Sequence, residues 1–292
     1  MISQRFSIGP ADAEIAMLQW GESGKPPALL VHGTGFVADV WDEVARELAS
    51  TYTVYALDRR GHGASHKPGT YHFLDFADDI CRVIDALDLR DVYGIGHSAG
   101  ATDLLLGAKR LPGRLKRLFV MEPTVMDPGA ARSGGLDDEA VARVQGALRR
   151  QVEFDSFDAV FNRYRAAPAF ADWTETSLRA YVRHGFEPLD DGRVRLCCTP
   201  EIESAMLRPI YEAMTQVYVG DARGNPFASL AEIDCPVRVA TAAKSGPIYW
   251  EMARRAVSLI PHVSTLTFEG AGHCVAQEVP AAVVEAVREF AK

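Results

Sequence analysis

The chain is poor in cysteine and contains no C-x-x-C pair. Only five cysteines occur among 292 residues, an odd number without regular spacing. Neither a disulfide framework nor a zinc site is therefore predicted. We expect these cysteines to be reduced thiols, most of them buried in the folded protein.

Long apolar runs and an excess of positive charge are also missing. No uninterrupted apolar segment is long enough to cross a bilayer, and the first residues, Met1–Arg5, lack the basic-then-apolar layout of a signal peptide. The net charge of −8 argues against a nucleic-acid partner. We expect a cytoplasmic protein with neither a nucleic-acid nor a membrane partner. The oligomeric state stays open, with a homodimer among the options.

Short apolar runs alternate with segments of helical spacing along most of the chain. This alternation predicts a parallel α/β sheet with right-handed crossovers. The predicted strands are Ala28–Val31, Thr53–Leu57, Val92–Ile95, Leu118–Met121, Cys235–Ala240 and Ser264–Phe268, after an opening strand or hairpin in Ile8–Trp20. The predicted helices are Trp41–Ser50, Phe73–Leu89, Ala99–Leu111, Tyr249–Ile260 and Pro280–Phe290.

The pattern changes in residues 126–234, which are rich in Ala, Arg, Phe and Tyr. No clear buried strand occurs there, although residues 192–196 have the pattern of a short exposed strand. We therefore predict a core formed by residues 1–125 and 235–292, with a helical cap, or lid, formed by residues 126–234.

Residues 96–100 read Gly-His-Ser-Ala-Gly, which is the G-x-S-x-G pattern of a nucleophile elbow. An apolar strand precedes the pattern and a helix of small residues follows it. At such a turn the serine hydroxyl points outward, and the first helical amides face the negative charge that develops during reaction. Ser98 is therefore the candidate nucleophile.

Four motifs carry a resemblance to a known group of proteins. They are His32-Gly33, residues 58–65 (Asp-Arg-Arg-Gly-His-Gly-Ala-Ser), residues 96–100 and residues 270–273 (Gly-Ala-Gly-His). In this order they make the sequence similar to the α/β-hydrolase fold superfamily, of the type that bears a lid. The resemblance implies a mostly parallel, twisted sheet of about eight strands flanked by helices, with a helical lid insertion. It is specific for the fold and much less specific for the substrate.

A serine hydroxyl is a weak nucleophile until a base takes its proton. The resemblance implies that His273, on the glycine-flanked loop after Ser264–Phe268, is this base. The fold needs the chain order serine, acid, histidine, which His273 satisfies. We expect His97 to be a packed structural residue, and His32 and His62 to orient loops.

No carboxylate follows the strand Val237–Ala240, where members of the superfamily usually carry the catalytic acid. Residues 241–246 read Thr-Ala-Ala-Lys-Ser-Gly, with Ser245 at about the usual aspartate position. Other members of the superfamily carry the catalytic acid after the strand that follows the elbow helix, and Glu122 occupies that position here. Nucleophile and acid would then lie at the carboxyl edges of neighbouring strands, where open α/β sheets build their sites. Glu122 is the predicted acid. More distant alternatives are Asp103 and Asp221.

An oxyanion hole needs two backbone N–H donors. One is expected from Ala99, and the other from Thr34 or its neighbour Gly33 in the loop after Ala28–Val31. The candidate substrate-binding walls are Phe36, Val37, Trp41 and Val125. Aromatic residues that would roof the pocket, although we expect most to form the core of the lid itself, are Phe154, Phe157, Phe161, Tyr164, Phe170, Trp173, Tyr211 and Tyr218.

These residues predict a serine hydrolase of carboxylic esters or lactones that uses no cofactor and no metal. The aromatic-rich lid favours a bulky hydrophobic small-molecule substrate. Residues 121–124 (Met-Glu-Pro-Thr) also resemble fungal-toxin lactonases of the superfamily, which favours a lactone.

Other functions stay open at this stage. One alternative is a carbon–carbon bond hydrolase with the same triad. Another is a member that does not use the serine covalently, either a ligand-binding protein or a cofactor-free oxygenase. Haloalkane dehalogenases and epoxide hydrolases are disfavoured, because they need an aspartate where Ser98 stands.

Overall fold

A computed structural model describes residues 3–69, 71–126, 145–208 and 226–292. The strands are β1 (Gln4–Ile8), β2 (Ile15–Trp20), β3 (Pro27–Val31), β4 (Thr53–Leu57), β5 (Val92–His97), β6 (Leu115–Met121), β7 (Glu153–Phe154), β8 (Phe186–Pro188), β9 (Val194–Leu196), β10 (Val237–Ala242) and β11 (Val263–Phe268). The helices that matter for the site and core are α1 (Asp42–Leu48), α2 (Phe73–Ala86), α3 (Ala99–Ala108), α4 (Phe157–Arg165), α5 (Glu175–His184), α6 (Pro247–Leu259), α7 (Val275–Glu278) and α8 (Pro280–Phe290).

Eight strands form one sheet in the order β1-β2-β4-β3-β5-β6-β10-β11. The pairs β1/β2 and β2/β4 are antiparallel, and all other neighbouring pairs are parallel. The predicted mostly parallel sheet of about eight strands is confirmed. The carboxyl ends of β3, β5, β6 and β10 therefore meet along one edge of the sheet, as parallel pairing requires.

The central strands are apolar on both sides because helices cover both faces of the sheet. In β3, Ala28 and Leu30 belong to one hydrophobic cluster, and Leu29 and Val31 belong to the other. This alternation is the period of two that side chains follow along a strand. One cluster contains buried residues of α1 and α8, and the opposite cluster contains those of α2, α3 and α6.

Most predicted core elements are present, with ends that differ by a few residues. The opening segment is a hairpin of β1 and β2 that starts at Gln4, ahead of the predicted Ile8. The short helix α7 was not predicted, because four residues are too few to show a helical period.

The residues between β6 and β10, which we call the β6–β10 segment, add no strand to the eight-stranded sheet in their described part. They contain α4, α5 and a separate antiparallel sheet in the order β7-β9-β8. Strand β9 falls within the predicted residues 192–196, but it buries Val194 and Leu196 and is exposed only at Arg195. Strands β7 and β8 were not predicted, since two or three residues cannot show an alternation.

Helix α5 is tied to the core by hydrogen bonds beside β3. The hydroxyl of Tyr181 donates to the Gly35 carbonyl at 2.9 Å, and the hydroxyl of Ser177 donates to the Glu43 carboxylate at 2.9 Å. Thr174, which caps α5, also bonds to Glu43. These contacts hold this part of the β6–β10 segment against the loop that follows β3 and against α1.

All five cysteines are free thiols, as predicted, but the expectation that most of them are buried was wrong. Cys198 and Cys235 are buried, and the other three are half-buried. Among the helices of the described ranges, none is both long enough and apolar enough to cross a membrane.

Candidate active site

Ser98 lies on a sharp turn between β5 and α3. Its backbone has φ 53° and ψ −123°, which places a non-glycine residue at positive φ. Such a conformation is strained, and the strain is offset by the surrounding packing. The Ser98 amide donates to the Met121 carbonyl at 2.9 Å, so the turn is fastened to the neighbouring strand β6. This is the geometry of a nucleophile elbow.

Glu122 lies directly beyond β6, beside the elbow. His97 is paired with Met121 in the β5/β6 register, so Ser98 and Glu122 are the first residues after the last paired positions. Glu122 also has a positive φ of 52°, and its amide donates to the Ala240 carbonyl at 2.8 Å. Its side chain is fully buried, with 0% exposure.

The Glu122 carboxylate has two partners. One oxygen, Oε2, lies 3.2 Å from Nδ1 of His273, and the other, Oε1, accepts the Ala242 amide at 2.9 Å. A carboxylate only accepts hydrogen bonds, so the pair fixes the proton on Nδ1 and leaves Nε2 as the acceptor nitrogen of a neutral imidazole. The backbone at the end of β10 thus holds one oxygen of the Glu122 carboxylate.

Two residues, His97 and Glu278, position the His273 loop. The Nε2–H of His97 donates to the His273 carbonyl at 2.7 Å. The Glu278 carboxylate accepts the amides of Gly272 at 2.5 Å and Cys274 at 3.2 Å, which flank His273 on both sides.

Tyr249 covers one face of the His273 imidazole. The two rings are stacked, with centroids 3.9 Å apart and planes 23° from parallel. Tyr249 lies in the first turn of α6, and therefore next to the end of β10. The imidazole is consequently held from its edge by Glu122 and from its face by Tyr249.

Among the described residues, no hydrogen bond joins the Ser98 hydroxyl to His273. Ser98 is next to His97 in the sequence, and the ring centroid of His97 lies 4.8 Å from that of His273. Catalytic hydrogen bonds are often long without substrate and tighten only in the bound complex. The structure thus brings Glu122 and His273 together and places Ser98 next to His97, which bonds to His273.

His97 is fully buried and neutral. Burial, together with the charge that His273 would carry, lowers its pKa to about 3. The pKa of His32 is also lowered to about 3 by burial. His32 accepts the Arg59 amide at 3.0 Å, and His62 accepts the Gly35 amide at 2.9 Å. These contacts confirm that His97 is packed and that His32 and His62 orient loops.

The predicted oxyanion amides lie close to Ser98. A Cβ added to Gly33 would lie 3.2 Å from the Cβ of Ser98, so the backbone after β3 approaches the elbow closely. No acceptor within the described ranges takes the amides of Gly33, Thr34 or Ala99. The Gly35 amide, by contrast, is already bonded to His62. The three unpaired amides are therefore available to a ligand.

A buried ion pair supports the loop that carries Thr34. Arg59 Nε lies 2.6 Å from Asp103 Oδ2, and another Arg59 nitrogen donates to the Thr34 hydroxyl at 3.3 Å. Burial raises the pKa of Asp103 to about 6 although Arg59 lowers it. Because Asp103 pairs with Arg59, it does not serve His273. The other alternative acid, Asp221, lies outside the described residues.

Of the four predicted substrate-binding residues, Phe36 is half-buried and lines a cavity of about 350 Å³ beside Thr34. Val37, Trp41 and Val125 are at most 2% exposed and belong to the hydrophobic clusters, so they do not line this cavity. Sequence alone cannot separate a pocket wall from a core residue, because both are apolar.

The predicted lid aromatics do not all line one pocket. Phe154, Tyr164 and Phe170 line the same cavity as Phe36, and Tyr164 and Phe170 are stacked at 4.7 Å. Phe157 and Phe161 face a separate cavity with two arginines, and Trp173 is buried. Tyr211 and Tyr218 lie outside the described residues.

The sequence reasoning did not identify Tyr249 and Glu278 as parts of the site. Tyr249 reaches His273 only through the pairing of β10 with β11, which a local pattern does not reveal. The sequence gives a weak indication for Glu278, because an acidic residue close to a glycine-rich loop can accept hydrogen bonds from the amides of that loop.

The positive-φ serine, the buried glutamate and the histidine loop lie at the carboxyl edge of a mostly parallel eight-stranded sheet, an arrangement that defines the α/β-hydrolase class. A family model described as the alpha/beta hydrolase family matches residues 28–286. The chain therefore belongs to the alpha/beta hydrolase family.

Similarity to individual proteins is more distant. The chain is 26% identical to 2-(acetamidomethylene)succinate hydrolase of Mesorhizobium japonicum, over 99% of this chain and 95% of that protein. It is 36% identical to a non-heme chloroperoxidase of Streptomyces lividans, but over only 44% of this chain and 49% of that one. The crystal structure of E-2-(acetamidomethylene)succinate hydrolase superposes with a TM-score of 0.76 at 22% identity, covering 99% of this chain and 98% of that chain. This last likeness concerns the fold.

Proposed function

We propose that the protein is a serine hydrolase that cleaves a carboxylic ester or lactone through a Ser98–His273–Glu122 triad. The observation that carries the proposal is the buried Glu122 carboxylate, bonded to Nδ1 of His273 beside a serine at positive φ. An unpaired buried carboxylate would be costly, so its contact with the imidazole edge has a clear physical reason.

In the proposed reaction, the Ser98 hydroxyl attacks the carbonyl carbon and His273 Nε2 takes its proton. Glu122 stabilises the imidazolium that forms, and its second oxygen stays bonded to the Ala242 amide. The amides of Ala99 and Thr34, or Gly33, stabilise the oxyanion, each contributing roughly 3 kcal/mol at the transition state. The imidazolium then protonates the leaving alcohol, and water activated by His273 cleaves the acyl-enzyme. Every step uses groups of this chain, and no cofactor is needed.

The β6–β10 segment would serve as the lid over this site. Its helix α5 is bonded to Gly35 beside the proposed oxyanion amides, and its aromatic residues form walls of the neighbouring cavity. These walls suit a substrate with a sizeable apolar part. The chain's similarity to a 2-(acetamidomethylene)succinate hydrolase agrees with hydrolysis without fixing the bond that is cleaved.

The proposal is tested by a hydrolysis screen of p-nitrophenyl esters of rising chain length, together with large-ring lactones. We expect wild-type protein to turn over at least one of these compounds, and S98A to lose roughly three or more orders of magnitude in turnover. Ester hydrolysis that survives in S98A would overturn the role of Ser98. Absence of hydrolysis across both compound classes would overturn the ester and lactone assignment.

A further inference from the structure

The cavity next to the proposed oxyanion loop is lined by both aromatic and cationic side chains. Thr34, whose amide is a proposed oxyanion donor, forms part of its wall. Phe36, Phe154 and Phe170 provide aromatic surface. Three arginines, Arg149, Arg150 and Arg163, line the same space of about 350 Å³.

Arg150 is held rigidly close to this loop. Its guanidinium forms an ion pair with Glu203 and donates to the Tyr181 hydroxyl at 3.0 Å and the Tyr164 hydroxyl at 3.3 Å. Tyr181 in turn donates to the Gly35 carbonyl. A Cβ placed on Gly35 would lie only 3.3 Å from Arg150 Nη1, so the guanidinium sits against the loop backbone.

Basic side chains outnumber acidic ones among the described residues that line this cavity. Glu203 is the only acidic residue of that described lining, and it pairs with Arg150. Arg149 and Arg163 are exposed, and neither forms an ion pair with another residue of the described ranges. Among the residues that the structure describes, the cavity wall therefore carries two positive charges without an acidic partner, on a chain whose net charge is −8.

We propose that the substrate is anionic: an ester or lactone with an apolar body and a carboxylate, the carboxylate binding at Arg149 and Arg163. This inference rests on the proposed hydrolytic function. A planar guanidinium matches a carboxylate, whereas Phe36, Phe154 and Phe170 would contact the apolar body. Arg150, with its hydrogen bonds already made to Glu203, Tyr164 and Tyr181, orders the wall between the carboxylate and the Thr34 amide. Two like charges at the rim also raise the encounter rate with an anion.

The kinetic test compares two esters with the same leaving group. These are p-nitrophenyl hexanoate, which is neutral, and the mono-p-nitrophenyl ester of adipic acid, which ends in a carboxylate. We expect wild-type protein to prefer the adipate ester in kcat/KM by about tenfold or more at low ionic strength, with the preference shrinking as salt is added. In the double variant R149Q/R163Q, the ratio of the two kcat/KM values should fall by about tenfold.

The matched control is R179Q/R183Q, which removes the same charge from the β6–β10 segment. Arg179 and Arg183 face a different cavity, beside Phe157 and Phe161. This variant should keep the wild-type ratio. An equal loss of preference in both double variants would overturn the subsite in favour of a general charge effect. No preference for the adipate ester in wild-type protein would overturn it outright.

A binding measurement separates failure of this inference from failure of the hydrolytic proposal. Calorimetry with S98A compares monomethyl adipate, a monoanion, with dimethyl adipate, its neutral counterpart. Tighter binding of the monoanion that is lost in S98A/R149Q/R163Q supports the anionic subsite even if neither ester is hydrolysed. Equal binding of the two compounds by S98A overturns the subsite while leaving ester hydrolysis by Ser98 intact.

Discussion

At the scale of the residue, Glu122 is a buried carboxylate whose desolvation must be offset by ionic or hydrogen-bonded partners. It is fully buried and has two partners among the described residues, the His273 imidazole and the Ala242 amide. A charge removed from water without partners is very costly. The carboxylate would thus fix the tautomer of His273 and stabilise the imidazolium during the reaction.

Replacing Glu122 by Gln should lower kcat by roughly three to four orders of magnitude, provided that an ester substrate is found. The amide nitrogen of Gln would donate to Nδ1 and thereby favour the wrong tautomer of His273. The measurement is steady-state kinetics, with circular dichroism to check that the fold is retained. The control is E232Q, since Glu232 is exposed and pairs with Lys109. Turnover of E122Q close to that of E232Q would remove Glu122 from the triad.

The burial of His97 leads to a second prediction at this scale. Its pKa is lowered by burial to about 3, while a histidine in the unfolded chain has its ordinary pKa of 6.5. Between these values the unfolded state binds more protons, so the stability contributed by neutral His97 is present above pH 6.5 and is lost as the pH falls toward 3. The destabilisation caused by H97Q should therefore be smaller at pH 5 than at pH 8, by about 2 kcal/mol.

Urea unfolding of wild-type protein and H97Q at the two pH values measures this difference. H262Q is the control, because it makes the same substitution at an exposed histidine. The same destabilisation by H97Q at pH 5 and pH 8 would mean that His97 titrates normally in the folded protein.

At the scale of the element, the site depends on how closely α3 approaches the end of β3. A Cβ on Gly100, in the first turn of α3, would lie within 2.5 Å of the carbonyl oxygens of Val31 and His32. Further along the same helix, a Cβ on Gly107 would have its nearest atoms at 3.6 Å, an ordinary contact. The close approach of α3 to β3 therefore requires a glycine at position 100, whereas position 107 of the same helix has room for a methyl group.

The variants G100A and G107A test this difference in available space. We expect G100A to reduce the free energy of unfolding by about 1–3 kcal/mol or more, because the backbone must move apart to admit the methyl group. G107A should be neutral or stabilising by up to about 1 kcal/mol, since Ala is the better helix former. Thermal or urea unfolding measures both. A G100A variant as stable as G107A would contradict the close packing of α3 on β3.

The elements differ in how much of them the sequence could predict. The strand β4 was predicted over its observed Thr53–Leu57, because a five-residue apolar run between polar segments has few other interpretations. The small sheet of β7, β8 and β9 was largely missed, because its strands have two or three residues and are paired with one another rather than with the main sheet. The length of a strand, more than its composition, thus decided whether the sequence could predict it.

At the scale of the whole molecule, the site is assembled from distant parts of the chain. Glu122 and His273 are 151 positions apart in sequence, yet they meet because β6, β10 and β11 are neighbours in the sheet. The motifs and the order of strands were enough to predict the pairing of Glu122 with His273. They could not predict Tyr249 on the imidazole or the arginines in the cavity, because such contacts depend on how separate elements pack. The same limit explains why the sequence pattern predicts pocket walls at Val37, Trp41 and Val125, which are core residues in the structure.

The most direct test of the central claim is labelling of the intact protein with a fluorophosphonate, followed by mass spectrometry of the labelled peptide. We predict one adduct per chain, on Ser98, with labelling slowed by orders of magnitude in H273A because the serine then lacks its base. Well-folded protein that stays unlabelled, or that is labelled at another residue, would contradict the account.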